Sequence, residues 1–401
     1  MKQQNFSPCF FTGFTLAVIV ALSLGAQSQT SFINIAANQQ LIDGFGFSTA
    51  WTPAMTSAQG NILFGTGSGQ LGFSLLRIRI DPNESWGNEP SNAATAHSHG
   101  AKVLGTPWTP AASMKTNNSV ICGDLKTGSY GDYASHLNRA ANAIGLDYVS
   151  FQNEPDWCPN PGYESSNPNP TEILNWVINN SQAVGRPIVV SESLNFNDSY
   201  TDQILNNTTA ASRVTYIAGH FYGNGNRVHQ NALNHGKHVW QTEHYINGTD
   251  IGTAMTVAKE ISDAMNNQFS AYFWWWIMPN DPASFINGTS VDYRGYVMGQ
   301  FAHWVRPGKN KCSATYNPQS NIFVTAYHNN GIVIVALNTG GSAVNQTFTI
   351  QNASGVTSMT PIQTGGPSNR HLTQLSSVSV TNNTFTYSLP AQSVTTFAQF
   401  P

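Results

Sequence analysis

At 401 residues the chain is longer than one hydrophobic core usually absorbs, so a large domain with a smaller companion is expected. Charged residues supply only 9% of it, the formal net charge is -3 and no basic stripe occurs, which argues against nucleic acid or another polyanion as partner. A polar surface made of Asn, Thr, Ser and Gln instead of Lys and Glu is common in exported proteins.

The first element predicted is a leader over residues 1–28. Met1-Lys2 is its weakly positive end, Phe14 to Leu24 its apolar core and Ala26-Gln27-Ser28 a small-residue cleavage site. The apolar stretch is too short to span a bilayer comfortably, and an uncleaved anchor is the alternative. No other segment reads as membrane-spanning, so a secreted, extracellular protein with no membrane partner in its mature form is expected.

Phe32–Ile35 follows, ahead of the barrel that the next runs predict, and could add a strand to it. Eight short apolar, β-branched runs then recur: Leu41–Phe47, Phe73–Ile80, Lys102–Thr106, Asp147–Gln152, Ile188–Glu192, Val214–His220, His238–Glu243 and Ala271–Trp276. Helix-compatible segments lie between them, with Thr171–Ile178 and Val257–Met265 showing helical spacing of apolar positions. Eight strands alternating with helices over residues 42–304 predict a (β/α)8 TIM barrel in the α/β class. A doubly wound open sheet is the rival, but "GFGFS" at Gly44–Ser48 lacks the spacing of a phosphate-binding turn.

Past Val305 the periodicity changes. "NIFVTAYHNNGIVIVALNT", "NQTFTIQNAS" and "TFTYSLPAQSVTTFAQF" alternate apolar and polar residues between turn signals, so residues 305–401 are expected as a β-sandwich side domain. Val305-Arg306-Pro307-Gly308 is a short join, which predicts a fixed module.

Of the 4 cysteines, Cys9 would leave with the leader. Cys122 and Cys158 fall in loops that would emerge at the same end of the barrel, so a Cys122–Cys158 disulfide and a free Cys312 are expected, with three separate thiols as the alternative. No CxxC or HxxxH spacing suggests a metal site, and His97-Ser98-His99 reads as a polar helix end.

Active sites of such barrels lie at the C-terminal ends of the strands. Glu154, in "FQNEPDW", ends the fourth barrel strand, and Glu243, in "VWQTEHY", ends the seventh. Two carboxylates facing one mouth are what glycoside hydrolysis requires, one protonated to assist the leaving oxygen and one ionised. The aromatic residues Trp51, Trp108, Trp157, Tyr222, Tyr245 and Trp275 fall at or just past strand ends, where they would stack against sugars. A single glutamate at a strand end is as often a structural hydrogen-bonding group, but two in such contexts weigh toward chemistry. His220 would orient the nucleophile or simply pack. Arg79, in "RIRID", is the expected ion-pair support for a catalytic carboxylate. Strand alternation sends the Trp274-Trp275-Trp276 run to opposite faces, so not all three can face the mouth.

Together "DGFGFSTAW", "LLRIRIDPN", "TPWTPAASMK", "VSFQNEPDW", "GHFYG", "VWQTEHY", "YFWWWIMP" and "GQFAHWVRPG" resemble glycoside hydrolase family 30, nearest its xylanase branch. The likeness runs from about residue 32 to the closing "LPAQSVTTF". It implies a barrel fused to a β-sandwich that draws strands from both chain ends, with residues 29–41 as the N-terminal contribution. It also implies retaining hydrolysis with no metal or cofactor, Glu154 as general acid/base, Glu243 as nucleophile and Asn153 as donor to the sugar 2-hydroxyl. Trp108, Tyr222 and Trp275 would wall the subsites beside the cleaved bond. Retention needs the carboxyl groups about 5–5.5 Å apart, against ~6.5–9.5 Å for inversion.

One departure bears on substrate. Members of this branch that require a glucuronic acid side group carry an arginine just after the eighth-strand tryptophans; here the segment is Trp276-Ile277-Met278-Pro279-Asn280-Asp281-Pro282. The expectation is a monomeric endo-β-1,4-xylanase acting on xylan and tolerating glucuronyl branches without requiring them. Arg227 could take over acid recognition and make the enzyme glucuronoxylan-specific. A β-1,6-glucanase would also fit these motifs, as would a non-catalytic carbohydrate-binding protein on the same scaffold.

Overall fold

The computed structural model describes residues 29–159 and 162–399; the leader expected over 1–28 lies outside the described residues. After a long first strand, β1 (Thr30–Leu41), the chain lays down eight parallel strands: β2 (Gly44–Ser48), β3 (Leu75–Ile80), β4 (Lys102–Pro107), β5 (Tyr148–Ser150), β6 (Ile188–Ser193), β7 (Val214–His220), β8 (His238–Glu243) and β9 (Ala271–Trp274). They pair in sequence order and close, β9 against β2. The crossovers carry α1 (Ser57–Phe64), α2 (Glu89–Ser98), α3 (Tyr130–Ile144), α4 (Pro170–Asn180), α5 (Asp198–Leu205), α6 (Thr208–Arg213), α7 (Gln230–Asn234) and α8 (Ile251–Asn266). A small hairpin, β10 (Ile286–Asn287) and β11 (Ser290–Val291), leads to α9 (Tyr293–Ala302). This is the (β/α)8 barrel the alternation predicted. The last strand stops at Trp274, two residues short of the expected end, and Trp275 donates its backbone N–H to the carbonyl of His244, just past β8 (2.8 Å).

Local chemistry sets the helix limits. α3 buries Tyr133, Ala134, Leu137, Ala140, Ala141 and Ile144 along one stripe, and Gly145 ends it at φ 85°, where only glycine is unstrained. α4 begins on a capping box of Asn169 and Glu172 with Pro170 in its first turn. At the end of α2, His97 meets Asp147 (2.9 Å) and His99 closes the helix, the polar helix end expected of that pair.

Inside the barrel, Leu75, Leu104, Val189, Ala218, Trp240, Ala271 and Phe273 form the lower filling. Above them the inward positions turn polar, and the chemistry sits there.

The rest of the chain builds β12 (Asn310–Ala314), β13 (Ile322–His328), β14 (Val333–Asn338), β15 (Val344–Gln351), β16 (Ser358–Gly365), β17 (Arg370–Gln374), β18 (Val378–Ser379), β19 (Thr384–Leu389) and β20 (Ser393–Ala398). These and β1 form one 10-stranded sheet. It is a single curled sheet, not two separate ones, and the curl brings Phe348 of β15 and Phe385 of β19 against Phe397 of β20, with ring centroids 5.3 and 5.2 Å from it. β1 lies between β12 (antiparallel) and β15 (parallel), so the Phe32–Ile35 segment belongs to this sheet and not to the barrel. β14 is buried along its whole length because both its faces are covered. Val333, Val335 and Leu337 join the barrel-side core, while Ile334 and Ala336 join the sheet's own. Polar clamps add to the contact: Thr396 Oγ1 donates to the Gln300 carbonyl (2.9 Å) and Gln300 Nε2 to Thr364 Oγ1 (2.8 Å).

Cys122 and Cys158 are joined in a disulfide, and Cys312 is free and buried in the side domain. No helix among the described residues is long and apolar enough to cross a membrane.

Phe348 anchors the curl, so Phe348→Ala is expected to lower stability by about 3–5 kcal/mol. Urea unfolding of the full chain, followed by tryptophan fluorescence, measures it.

Candidate active site

The inward face of β3 carries Leu75, then Arg77 one pleat higher, then Arg79 at the rim. Arg77 is completely buried, and a buried guanidinium is stable only where acceptors surround it. Four strand ends supply them. Nε donates to Glu192 Oε1 (3.1 Å) and Thr106 Oγ1 (3.2 Å), Nη1 to Glu243 Oε2 (2.6 Å) and Nη2 to Asn153 Oδ1 (2.7 Å).

His220, at the end of β7, is the second cation. Its Nδ1 is 2.9 Å from Glu154 Oε1 and 4.0 Å from Glu243 Oε1. Its Nε2 is 3.9 Å from Glu192 Oε1, near enough for charge attraction and too far for a hydrogen bond. Burial disfavours the imidazolium, but the charge of Glu243 and the contacts with Glu154 and Glu192 outweigh it and raise the pKa to about 9. Glu192 is also fully buried, yet Arg77 and His220 overcome that penalty and hold it down at about 2. For Glu243, burial pushes the pKa up against the pull of His220 and Arg77, and the charge of Glu154 adds to the rise.

One oxygen each of Glu154 and Glu243, with one ring nitrogen of His220, lie within 4.8 Å of one another. Could the trio hold a metal? A protonated imidazole has no lone pair to offer, and Arg77 already sits on Glu243, so the donor set suits proton transfer better. Glu154 is held at φ 42°, a strained value for a non-glycine residue. Its N–H donates to the Glu192 carbonyl (2.9 Å), and the Asn153 N–H to that of Pro107 (2.9 Å), which fixes the strained turn.

The two carboxylates form the floor of a cleft of about 610 Å³. Trp51, Trp108, Trp157, Tyr222, Tyr245 and Trp275 all line it, as expected. Trp51 meets Trp108 edge-on at 4.8 Å, and the Arg77 guanidinium lies 4.7 Å from the Trp108 ring centre. Tyr222 donates its hydroxyl to Glu243 Oε1 (3.0 Å). Asn153 and His220 are buried just beneath the wall. With Asn153 Oδ1 occupied by Arg77, its NH2 is the donor left.

Arg79 is the exception. It reaches Asp81 (2.8 Å) and Glu164 (2.6 Å from its Nε), and the carboxylate support expected of it comes from Arg77. Both arginines have the same parity on β3; what differs is depth in the barrel, which strand periodicity does not encode. The motifs also pass over Glu192 and Tyr163, and they give Trp276 no role. Glu192 sits in plain view at a strand end, Trp276 stacks on Trp275 (4.9 Å) beyond the end of β9, and Tyr163 lies in an irregular segment without periodicity. Arg227 pairs with Asp198 (2.7 Å) and lines a separate depression with Asn195 and Gly223. Arg294 is buried and engaged by Asp292 and the carbonyls of Ile246 and Pro282.

No family model matches the sequence. The chain is 35% identical over 391 residues to glucuronoxylanase XynC of Bacillus subtilis (strain 168), covering 91% of this chain and 90% of that one. It resembles the glycoside hydrolase family 30 subfamily 8 xylanase Xyn30A of Clostridium acetobutylicum at 38% identity and TM-score 0.87, over 92% of this chain and 99% of that one. A GH30 endoxylanase from Clostridium papyrosolvens C71 matches at 34% identity and TM-score 0.84, over 93% and 100% of the two chains.

The His220 environment has a consequence for stability. A group whose pKa rises from 6.5 to about 9 on folding stabilises the native state fully below pH 6.5, and that contribution fades as pH climbs through 9. The gap in unfolding free energy between wild type and His220→Asn is therefore expected to narrow over that range. Urea titrations at pH 6.5, 8 and 9.5 would show it; a gap constant with pH contradicts a charged His220.

Proposed function

The chain belongs to glycoside hydrolase family 30, and on that premise we propose that it is a retaining endo-β-1,4-xylanase, exported from the cell, which does not require glucuronyl branches on its substrate. The observation that carries this is the pairing of Glu154 and Glu243 within 4.8 Å on the floor of an aromatic cleft.

The roles follow the family's strand-end motifs, with Glu243, in "VWQTEHY", as the nucleophile; the Arg77 guanidinium and the Tyr222 hydroxyl aim its carboxylate. Glu154 is the acid/base. Its proton passes to the glycosidic oxygen as the C1–O bond breaks, and Glu243 bonds to C1. Glu154, now ionised, takes a proton from water; the water oxygen attacks C1, the ester breaks and Glu243 is regenerated as a carboxylate. The Asn153 NH2 meets the sugar 2-hydroxyl. Charge balance favours the cycle. With Glu154 protonated, Arg77 and His220 offset Glu192 and Glu243. In the covalent intermediate Glu243 is a neutral ester and Glu154 carries the charge, so the cluster's total is unchanged. His220 touches one of these carboxylates and lies 4.0 Å from the other, so the charge moves across a cation that serves both.

For the substrate, aromatic walls suit the flat face of a xylose unit. Among the described residues the cleft wall carries no Lys or Arg, and Arg227 and Arg294 are engaged elsewhere. A glucuronate carboxylate would find no bidentate partner, hence independence of the branch. The Cys122–Cys158 disulfide and the low charge content fit an oxidising, extracellular setting.

Glu243→Gln is expected to lower kcat at least about 10³-fold while xylan is still bound; an unaffected rate contradicts its role. Product analysis on glucuronoxylan and on unbranched xylan tests specificity. Short neutral xylo-oligosaccharides from both substrates are expected. Cleavage of glucuronoxylan alone would overturn branch independence, and inertness toward both would overturn the xylanase assignment.

A further inference from the structure

Tyr163 has no part in the scheme above, yet it stands against its central group. Its hydroxyl lies 3.2 Å from Glu154 Oε2, the carboxylate oxygen that His220 does not hold. The ring lines the cleft and is 45% exposed, so little packing holds it and its position depends on its backbone.

That backbone is anchored on its C-terminal side. Arg79 Nε donates to Glu164 Oε1 (2.6 Å), which gives the rim arginine a purpose. The Ser165 N–H donates to the Val120 carbonyl (2.9 Å), and Ser165 Oγ accepts from the Cys122 N–H (3.0 Å). The Ser165 carbonyl accepts from the buried Lys115 ammonium (2.5 Å), and Ser166 Oγ donates to the Gly123 carbonyl (2.9 Å). Cys122 is itself tied to Cys158, four residues past Glu154. These bonds bury Ser165 and Ser166 and fix the chain directly after Tyr163.

We propose that Tyr163 is a further catalytic residue, whose hydroxyl donates to Glu154 Oε2 while that carboxylate is ionised and accepts from it while it is protonated. This rests on the acid/base role assigned to Glu154 above. Burial, together with the nearby Glu154 and Glu243 charges, pushes the phenol well above its ordinary range, so it keeps its own proton throughout. It shuttles nothing; it stabilises the base that activates water in the second half of the reaction. The other charged or titratable groups facing Glu154 are His220 on β7, Glu243 on β8, Arg77 on β3, Glu192 on β6, Tyr222 after β7 and Asp156 in its own turn. Among the described residues, only His220 and Tyr163 hydrogen-bond its carboxylate.

A donor to the ionised form lowers the pH at which an acid releases its proton, and its removal raises that pH. The alkaline limb of kcat/KM requires protonated Glu154. Tyr163→Phe is therefore expected to move that limb upward by about half to one pH unit, with KM nearly unchanged because the ring remains. Tyr163→Ala should show the same shift and also a several-fold higher KM, since a piece of cleft wall is lost. The measurement is initial-rate kinetics on soluble xylan from pH 4 to 10 for the three full-length proteins, with melting temperatures to confirm folding. A Tyr163→Phe profile that superimposes on wild type, or falls evenly at every pH, overturns the proposal. A wild-type protein inert on all xylans would instead overturn the activity itself, and this role with it.

Discussion

A guanidinium removed from water inside the barrel is the constraint around which the upper half of the molecule is arranged. Arg77 is inaccessible to solvent, and an uncompensated charge there would be destabilising by several kcal/mol. Compensation comes from side chains on β4, β6 and β8 and from the turn after β5. Because those groups sit far apart in sequence, one side chain fixes the relative heights of four strands. The same contacts that satisfy the arginine point Glu243 and Asn153 at the cleft. Folding energy and the orientation of the cleft's polar groups are thus supplied by one set of bonds.

The second cation divides the labour. Arg77 approaches Glu243 from below at 2.6 Å, while His220 stands beside both carboxylates of the cleft floor. Electrostatic stabilisation of this kind works because the donors are in place before charge moves. Glu192 completes the balance without lining the cleft: held ionised by Arg77 and His220, it keeps the imidazole charged.

How much of this was legible in the chain depends on the range of the interaction. Strand positions were readable, because β-branched runs and their spacing are local properties. Glu154 and Glu243 were readable because they end strands and sit in distinctive neighbourhoods. Arg77 and Arg79 shared a face by alternation, but which of them reached the carboxylates depended on where the barrel's layers fall, a property of all eight strands together. Tyr163 was hidden because its position is set by the disulfide, Lys115 and Arg79, none of which advertises its partner locally. The curl of the side sheet was equally silent, since alternating strands are alike in an open sandwich and in one sheet that bends back on itself. The residues alone left β1 beside the barrel; its place depends on partners near the far end of the chain.

That placement of β1 governs how the protein can be made. Thr30 pairs with Thr347 and Ile33 with both Ile350 and Ala314, so the barrel is threaded between two parts of one sheet. Contacts of such long separation form late and slowly. A chain emerging front first must therefore hold its opening strand unpaired, edge exposed, until nearly everything else has followed. By the same connectivity, losing either end of the chain would open the sheet at the other end as well.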